Sequence, residues 1–174
     1  MFVEPYTKKQ KFRRLLFRVV WTIFARPFPQ ATMRRWKIFL LRLFGAKISD
    51  KAVVYSSTNV FMPENLVMDD YACLASHTIV ENAAVVHLKE GAIVSQYSYL
   101  CTASHDIRDD DFPQFSKPIT IGKKAWVTAG CFIGSGVTIE DGAVVGARSA
   151  VFKDVKANTV VGGNPAKFIK NRYE

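Results

Sequence analysis

The sequence predicts an all-β solenoid, a triangular prism of short parallel strands, and three observations point to it. An aliphatic residue recurs every six positions from Ile48: Ile48, Val54, Val60, then Met68, Leu74, Val80, then Leu88, Val94, Leu100. After a gap the run resumes through Ile121, Val127, Ile133, Ile139, Val145 and Val151. Four residues after these positions stands a small side chain, with Glu64 the exception: Ala52, Thr58, Ala72, Thr78, Ala84, Ala92, Ser98, Ser104, Ala125, Cys131, Val137, Ala143, Ser149 and Val155. Glycine marks the turns, as at Gly122, Gly134, Gly142 and Gly146.

A period of six matches neither an amphipathic helix nor a simple alternating strand. It suits short strands joined by tight turns, one hexad per wall and three per coil. The aliphatic side chain fills the interior, and the corner admits only a small one. Stacked at about 4.8 Å, five or so coils make a prism on the order of 24 Å tall. A β-sandwich would not hold a six-residue phase for so long. Spacing alone does not give the hand of the coil.

The first element lies ahead of the repeat, in residues 1–47. Phe12, Leu15, Leu16, Val19, Val20, Ile23 and Phe24 fall at helical spacing, as do Trp36, Phe39, Leu40 and Leu43, with Gly45 as a stop. One reading is that both helices cap the open end of the prism. A second is attachment to a membrane surface, since basic amphipathic helices bind anionic lipid. Residues 1–51 hold 13 Lys or Arg and 2 Asp or Glu, a net +11, whereas the other 123 hold 11 and 13, a net −2. The basicity belongs to this appendage, which argues against a nucleic-acid-binding body.

The second element is the repeat itself, residues 48–160. Its phase slips by two near Phe61–Met68 and again near Val86–Leu88, and residues 103–120 (ASHDIRDDDFPQFSKPIT) leave the register as an extruded loop. A loop this long in a compact repeat is usually functional. The third element, residues 161–174, opens with Gly-Gly-Asn-Pro and continues as a short basic tail with helical spacing.

Composition bounds the rest. The chain has 174 residues, 49% of them hydrophobic, which suffices for one domain's core. Three cysteines (Cys73, Cys101, Cys131), an odd number without a CxxC pair, argue against a disulfide framework and for a reducing compartment. The uncharged run Val19–Ala25 is too short to span a bilayer, and no signal-peptide cleavage pattern is seen. The expected location is cytoplasmic, with the inner face of the membrane as the site of any lipid contact.

The motifs S-H-D in the extruded loop, then P-I-T-I-G, A-W-V, G-A-R-S-A-V, K-D and G-N-P-A-K-x-I, resemble those of the hexapeptide-repeat acetyltransferases. Over residues 35–172 the chain is most similar to the group that acetylates sugars in exopolysaccharide (colanic-acid-type) biosynthesis. The resemblance implies a left-handed parallel β-helix, a homotrimer with active sites between neighbouring subunits, and acetyl-CoA as co-substrate with no metal. It implies O-acetylation of a sugar-like acceptor, with a xenobiotic or amino-sugar acceptor as the alternative.

A hydroxyl is a poor nucleophile at neutral pH, so such a transfer needs a base. His105 matches the family's catalytic histidine. Asp106 follows it and is expected on the acceptor side, and either Asp106 or one of Asp109, Asp110 and Asp111 orients the imidazole or merely solvates the loop. His87 lies 18 residues before His105, one coil's length, and is expected beneath it on the acceptor side. Asn82 falls near a position where relatives hold an acceptor-binding residue; the weaker candidates are His77 on an earlier corner and Cys101 as a nucleophile. For CoA, the resemblance assigns Trp126 to the pantetheine, with Ala129 and Ala147 allowing close approach. Phe152 and Lys153 come next, and Lys167 and Lys170 stand where relatives place phosphate-binding arginines. The alternative for the alanines is corner packing, and for the lysines a solvated tail.

Three rivals fare worse. A γ-class carbonic anhydrase uses the same prism but an absent His-x4-His pair. A scaffold or ice-binding prism would show threonine ladders, and a serine acetyltransferase would need a large N-terminal helical domain.

Overall fold

The structure, a computed structural model, describes residues 6–28 and 33–174. Its body is the expected prism. In the described residues the first wall stacks Lys47–Ile48, Leu66–Met68, Val86–Leu88, Ile119–Ile121 and Thr138–Ile139 in parallel. The second wall stacks Val53–Val54, Cys73–Leu74, Ile93–Val94, Trp126–Val127, Val144–Val145 and Thr159–Gly162. Asn59–Val60, Ile79–Glu81, Tyr99–Cys101, Phe132–Ile133 and Ala150–Val151 make the third. A bridge between Ile139 and Val155 carries the first wall on, so the chain completes five turns and begins a sixth.

The hexad explains the interior. Leu74, Leu88, Val94, Leu100, Ile121, Val127, Ile133, Ile139 and Val145 have no exposed surface, and each contributes about 1.5–3 kcal/mol by leaving water. The corner residues Ala52, Ala72, Ala92, Ala125 and Ala143 are equally buried. Where a corner carries a hydroxyl, it must find an acceptor. Thr58 and Thr78 both donate to the Ala75 carbonyl, at 3.2 and 2.8 Å, and Ser98 donates to that of Thr128 at 2.9 Å.

The three interruptions of the phase are one structural feature. All fall at the corner between the third and first walls, which is wider than the other two. Leu66, Val86 and Ile119 become extra inward positions there, all fully buried. Met62, Asn82 and Thr102 occupy the corner in successive turns, buried at 3% exposure or less. Ala84 and Ser104, the small residues expected there by phase, are only half-buried because Asn82 and Thr102 take their place.

The helices α1 (Lys8–Phe24) and α2 (Arg34–Leu43) cover the first turn. A capping box starts α1: Thr7 Oγ1 accepts from the Gln10 amide at 3.3 Å, and Gln10 Oε1 from the Thr7 amide at 2.9 Å. Phe17 and Trp21 of α1, Ala25 capping its end, and Ile38, Leu40 and Leu41 of α2 join the prism core. Trp21 Nε1 donates to the Ser56 carbonyl at 3.1 Å, which pins α1 to the first turn. The capping reading of the two helices is therefore correct. Of the N-terminal segment 1–47, residues 1–5 and 29–32 lie outside the described residues.

The expected helical tail is instead a strand. Lys167–Asn171 folds back antiparallel on Thr159–Gly162, with Val160 opposite Lys170 and Gly162 opposite Lys167. The last parallel strand leaves a row of unpaired backbone groups, and satisfying them outweighs a weak helical spacing in five exposed residues. Gly163, at φ +101°, supplies the reversal that a side chain would resist.

Candidate active site

The wide corner holds the extruded loop. Ala103–His105 pairs antiparallel with Gln114–Ser116, in register His105 to Gln114, so the segment is a hairpin standing off the prism. Its base is braced from two turns. The Lys117 amide donates to the Thr102 carbonyl at 3.0 Å and to Ser135 Oγ at 3.1 Å, while Ser135 Oγ donates to the Thr102 carbonyl at 2.6 Å. Thr102 Oγ1 in turn donates to the Glu81 carbonyl and accepts from the Ala84 amide, at 2.9 and 3.0 Å. The loop's return strand faces α1, where Tyr6 and Gln10 share a cleft with Gln114 and Phe115.

His105 is exposed at the end of the outgoing strand. Its Nδ1 lies 2.6 Å from the Phe112 carbonyl oxygen. A carbonyl only accepts, so Nδ1 carries a proton, and in the neutral imidazole the lone pair then lies on Nε2. The orienting group is thus a backbone carbonyl, held in place by the Asp106 amide, which donates to Pro113 O at 3.0 Å, and by Phe112's left-handed φ of 46°. Asp106 does not orient the imidazole. Its carboxylate takes Arg108 Nε at 2.9 Å, the terminal guanidinium at 2.7 Å and the Arg108 amide at 3.1 Å. Those bonds hold the Asp106 carboxyl below its ordinary value.

Two expectations of placement are corrected. Asn82 is fully buried and cannot meet an acceptor. Its Oδ1 accepts from the Met62 amide at 2.8 Å and its Nδ2 donates to the Met62 carbonyl at 2.6 Å, joining two turns of the wide corner. His87 does not lie beneath His105, because a turn through the wide corner takes 20 residues, as Val67 to His87 and Glu81 to Cys101, and His105 stands on the hairpin off the prism, leaving Thr120 as the partner of His87 in the next turn. Its Nε2 is 3.1 Å from Asp69 Oδ2 on the first wall. His77 stacks on Tyr97, centroids 5.0 Å apart, so the three histidines occupy three separate settings.

Of the residues assigned to CoA, Ala129 and Ala147 share the corner between the second and third walls, Trp126 stands on the second wall, and Phe152 and Lys153 follow the end of the third. Ala129 and Ala147 lie one turn apart in that corner, joined by the Arg148 amide donating to the Ala129 carbonyl at 2.9 Å. Ala147 is exposed and Ala129 half-buried, so together they leave a ledge where larger side chains would project. Trp126, 46% exposed, is fixed on the adjoining wall by Nε1 donating to Ser95 Oγ at 2.9 Å. Phe152 leans on Phe132 at 5.7 Å, and Lys153 is exposed beside it. Lys167 and Lys170 project from the terminal strand at the end of the second wall, Lys170 Nζ donating to the Glu174 carbonyl at 3.2 Å. The set suits a long, flexible, phosphate-ended chain: apolar ring, close backbone, then positive charge.

One cluster escaped the sequence reading. Glu81, Tyr99 and Cys101 face outward side by side on the third wall, the tyrosine hydroxyl donating to the Glu81 carboxylate. Burial foremost, with Glu81 adding to it, raises the Tyr99 phenol and the Cys101 thiol. A raised thiol is a poor nucleophile, which argues against Cys101 as the attacking group. The signal was present in the register, since Glu81 and Cys101 flank inward aliphatics one turn apart.

No protein-family model matches the chain. The putative colanic acid biosynthesis acetyltransferase WcaF of Escherichia coli K12 is 43% identical over 153 residues, which span 88% of this chain and 83% of that protein. A maltose O-acetyltransferase from Clostridium difficile 630 superposes with a TM-score of 0.83 at 23% identity, over 97% of this chain and 90% of its own. A galactoside acetyltransferase solved with coenzyme A gives 0.84 at 20% identity, over 97% and 85%. The prism is accordingly the left-handed parallel β-helix of these enzymes, and the chain belongs to the hexapeptide-repeat acetyltransferase family.

Proposed function

We propose that this acetyltransferase moves the acetyl group of acetyl-CoA to a sugar hydroxyl during synthesis of a surface polysaccharide. The observation that carries the mechanism is the Nδ1–Phe112 hydrogen bond, which leaves His105 Nε2 free to act as a base. Nε2 takes the proton of the acceptor hydroxyl as its oxygen attacks the thioester carbonyl. The C–S bond then breaks, and the imidazolium returns the proton to the departing CoA thiolate. No acyl-enzyme forms, in keeping with the raised Cys101 thiol. Trp126, Ala129, Ala147, Phe152 and Lys153 would hold the pantetheine, and Lys167 and Lys170 the phosphates. Lysine offers a point charge in place of an arginine fork, so phosphate contact here rests on sign more than geometry.

The polysaccharide setting is supported by the colanic acid relative, and the sugar hydroxyl by the galactoside and maltose enzymes of the same fold. The active unit of this reading is a homotrimer in the cytoplasm, the hairpin of one subunit facing the ledge of the next. The test is release of CoA thiol from acetyl-CoA over a panel of sugars, amino sugars and chloramphenicol. General acid–base catalysis is worth about 10²–10⁴-fold, and His105→Ala should lose turnover on that scale. Full acceptor-dependent turnover in His105→Ala would refute the mechanism, and acetylation confined to amines would refute the hydroxyl acceptor.

A further inference from the structure

Helix α1 has two apolar faces. Phe17, Trp21 and Ala25 are spent on the prism core. On the opposite side Phe12, Leu15, Leu16, Val19 and Ile23 follow one another at helical spacing and are 45–68% exposed. Single exposed apolar residues need no explanation, but a five-residue stripe along one helix does. It does not end with the helix. Trp36 Nε1 donates to the Phe24 carbonyl at 2.7 Å, which joins the end of α1 to α2, and Trp36 stacks on Phe39 there. Phe39 and Leu43 of α2 are 52% and 65% exposed.

Charge selects what covers this surface. Lys8, Lys9, Lys11 and Arg18 border the stripe, and no Asp or Glu occurs between Pro5 and Ser49. A second copy of this chain, face to face, would bring two such basic surfaces together. An anionic lipid surface instead takes up both the apolar side chains and the positive fringe. No helix of the described residues is long and apolar enough to cross a membrane, so α1 would lie in the interface plane. We infer that the α1–α2 end of the prism docks on anionic phospholipid, the stripe entering the acyl boundary and the basic residues the headgroups. The near-neutral body, at −2 outside residues 1–51, would then stand away from the surface. Because the return strand of the His105 hairpin abuts Tyr6 and Gln10 at the start of α1, docking would set the site within a few strand spacings of the lipid.

The inference is independent of acetyl transfer. Its test is co-sedimentation of the full chain with phosphatidylglycerol–phosphatidylcholine vesicles and with pure phosphatidylcholine, alongside Trp fluorescence, to which Trp36 at the proposed contact should add a blue shift. The wild type should bind the anionic vesicles and lose binding in high salt. Leu15→Glu with Ile23→Glu should weaken binding at least ten-fold without moving the melting temperature, since both side chains are exposed. His105→Ala should bind as the wild type does, which separates this inference from the proposed chemistry. Failure of the wild type to bind anionic vesicles would overturn it, as would undiminished binding of the double variant. So would a double variant that binds vesicles normally but falls to a smaller oligomer, which would make the stripe a contact between copies.

Discussion

Replacing Asn82 by alanine removes the amide that serves two backbone groups of Met62, in a corner with no access to water. The Met62 N–H and C=O lose partners at 2.8 and 2.6 Å. The Met62 carbonyl keeps the Asn65 amide at 3.0 Å, but a buried N–H left without a partner costs about 1–3 kcal/mol, which with a small cavity puts the loss near roughly 2–4 kcal/mol. That is a large part of the stability of about 5–15 kcal/mol usual for a domain. Guanidinium unfolding followed by far-UV circular dichroism should therefore show an earlier midpoint and faster unfolding. The surviving folded enzyme should keep its KM for the acceptor, because no atom of Asn82 reaches the surface. An Asn82→Ala protein of wild-type stability with an acceptor KM raised ten-fold would refute this reasoning and return Asn82 to the acceptor site.

Gly122→Ala should be as damaging for a different reason: a Cβ there would stand 2.6 Å from the Asp141 amide nitrogen in the next turn, so the coils must part, and thermal melting should register a loss of more than about 3 kcal/mol. The Asp106 carboxyl is held low by Arg108, so its bonds are intact at neutral pH and are lost only as pH falls below the ordinary carboxylate range; amide exchange across residues 105–113, relative to its intrinsic rate, should rise there, and at a higher pH in Arg108→Ala. The Cys101 thiol, raised by burial and then by Glu81, should react slowly with a thiolate-selective reagent at neutral pH and faster as pH rises; Glu81→Gln should speed it. Unchanged exchange or unchanged thiol rates in these variants would contradict the two assignments.

The walls were legible in the sequence because each hexad obeys a local rule, an inward aliphatic followed by a corner too tight for bulk. The wide corner was only half legible. Its two short slips and its long loop look unrelated along the chain, and only stacking shows that Met62, Asn82 and Thr102 form one column. Counting eighteen residues from His87 to His105 failed there, since a count assumes equal corners. His105 was identifiable by its motif, but its orienting partner was not. That partner is the Phe112 carbonyl, a backbone atom that no side-chain pattern encodes, while the adjacent Asp106 is occupied by Arg108. The tail was misread because its partner, an open strand edge, exists only once the prism is wound.

A parallel solenoid carries a hazard at both ends, since each terminal coil is a template on which another molecule's coil can continue the stack. This chain blocks growth differently at the two ends. Helices α1 and α2 roof the first turn, while at the other end the antiparallel Lys167–Asn171 strand reverses the hydrogen-bonding direction of the second wall. A parallel newcomer would meet the wrong pattern there, and an edge carrying Lys167 and Lys170 repels its own kind. Head-to-tail stacking on the second wall is thereby disfavoured, and a chain cut before Lys167 would leave Thr159–Gly162 as an open strand edge.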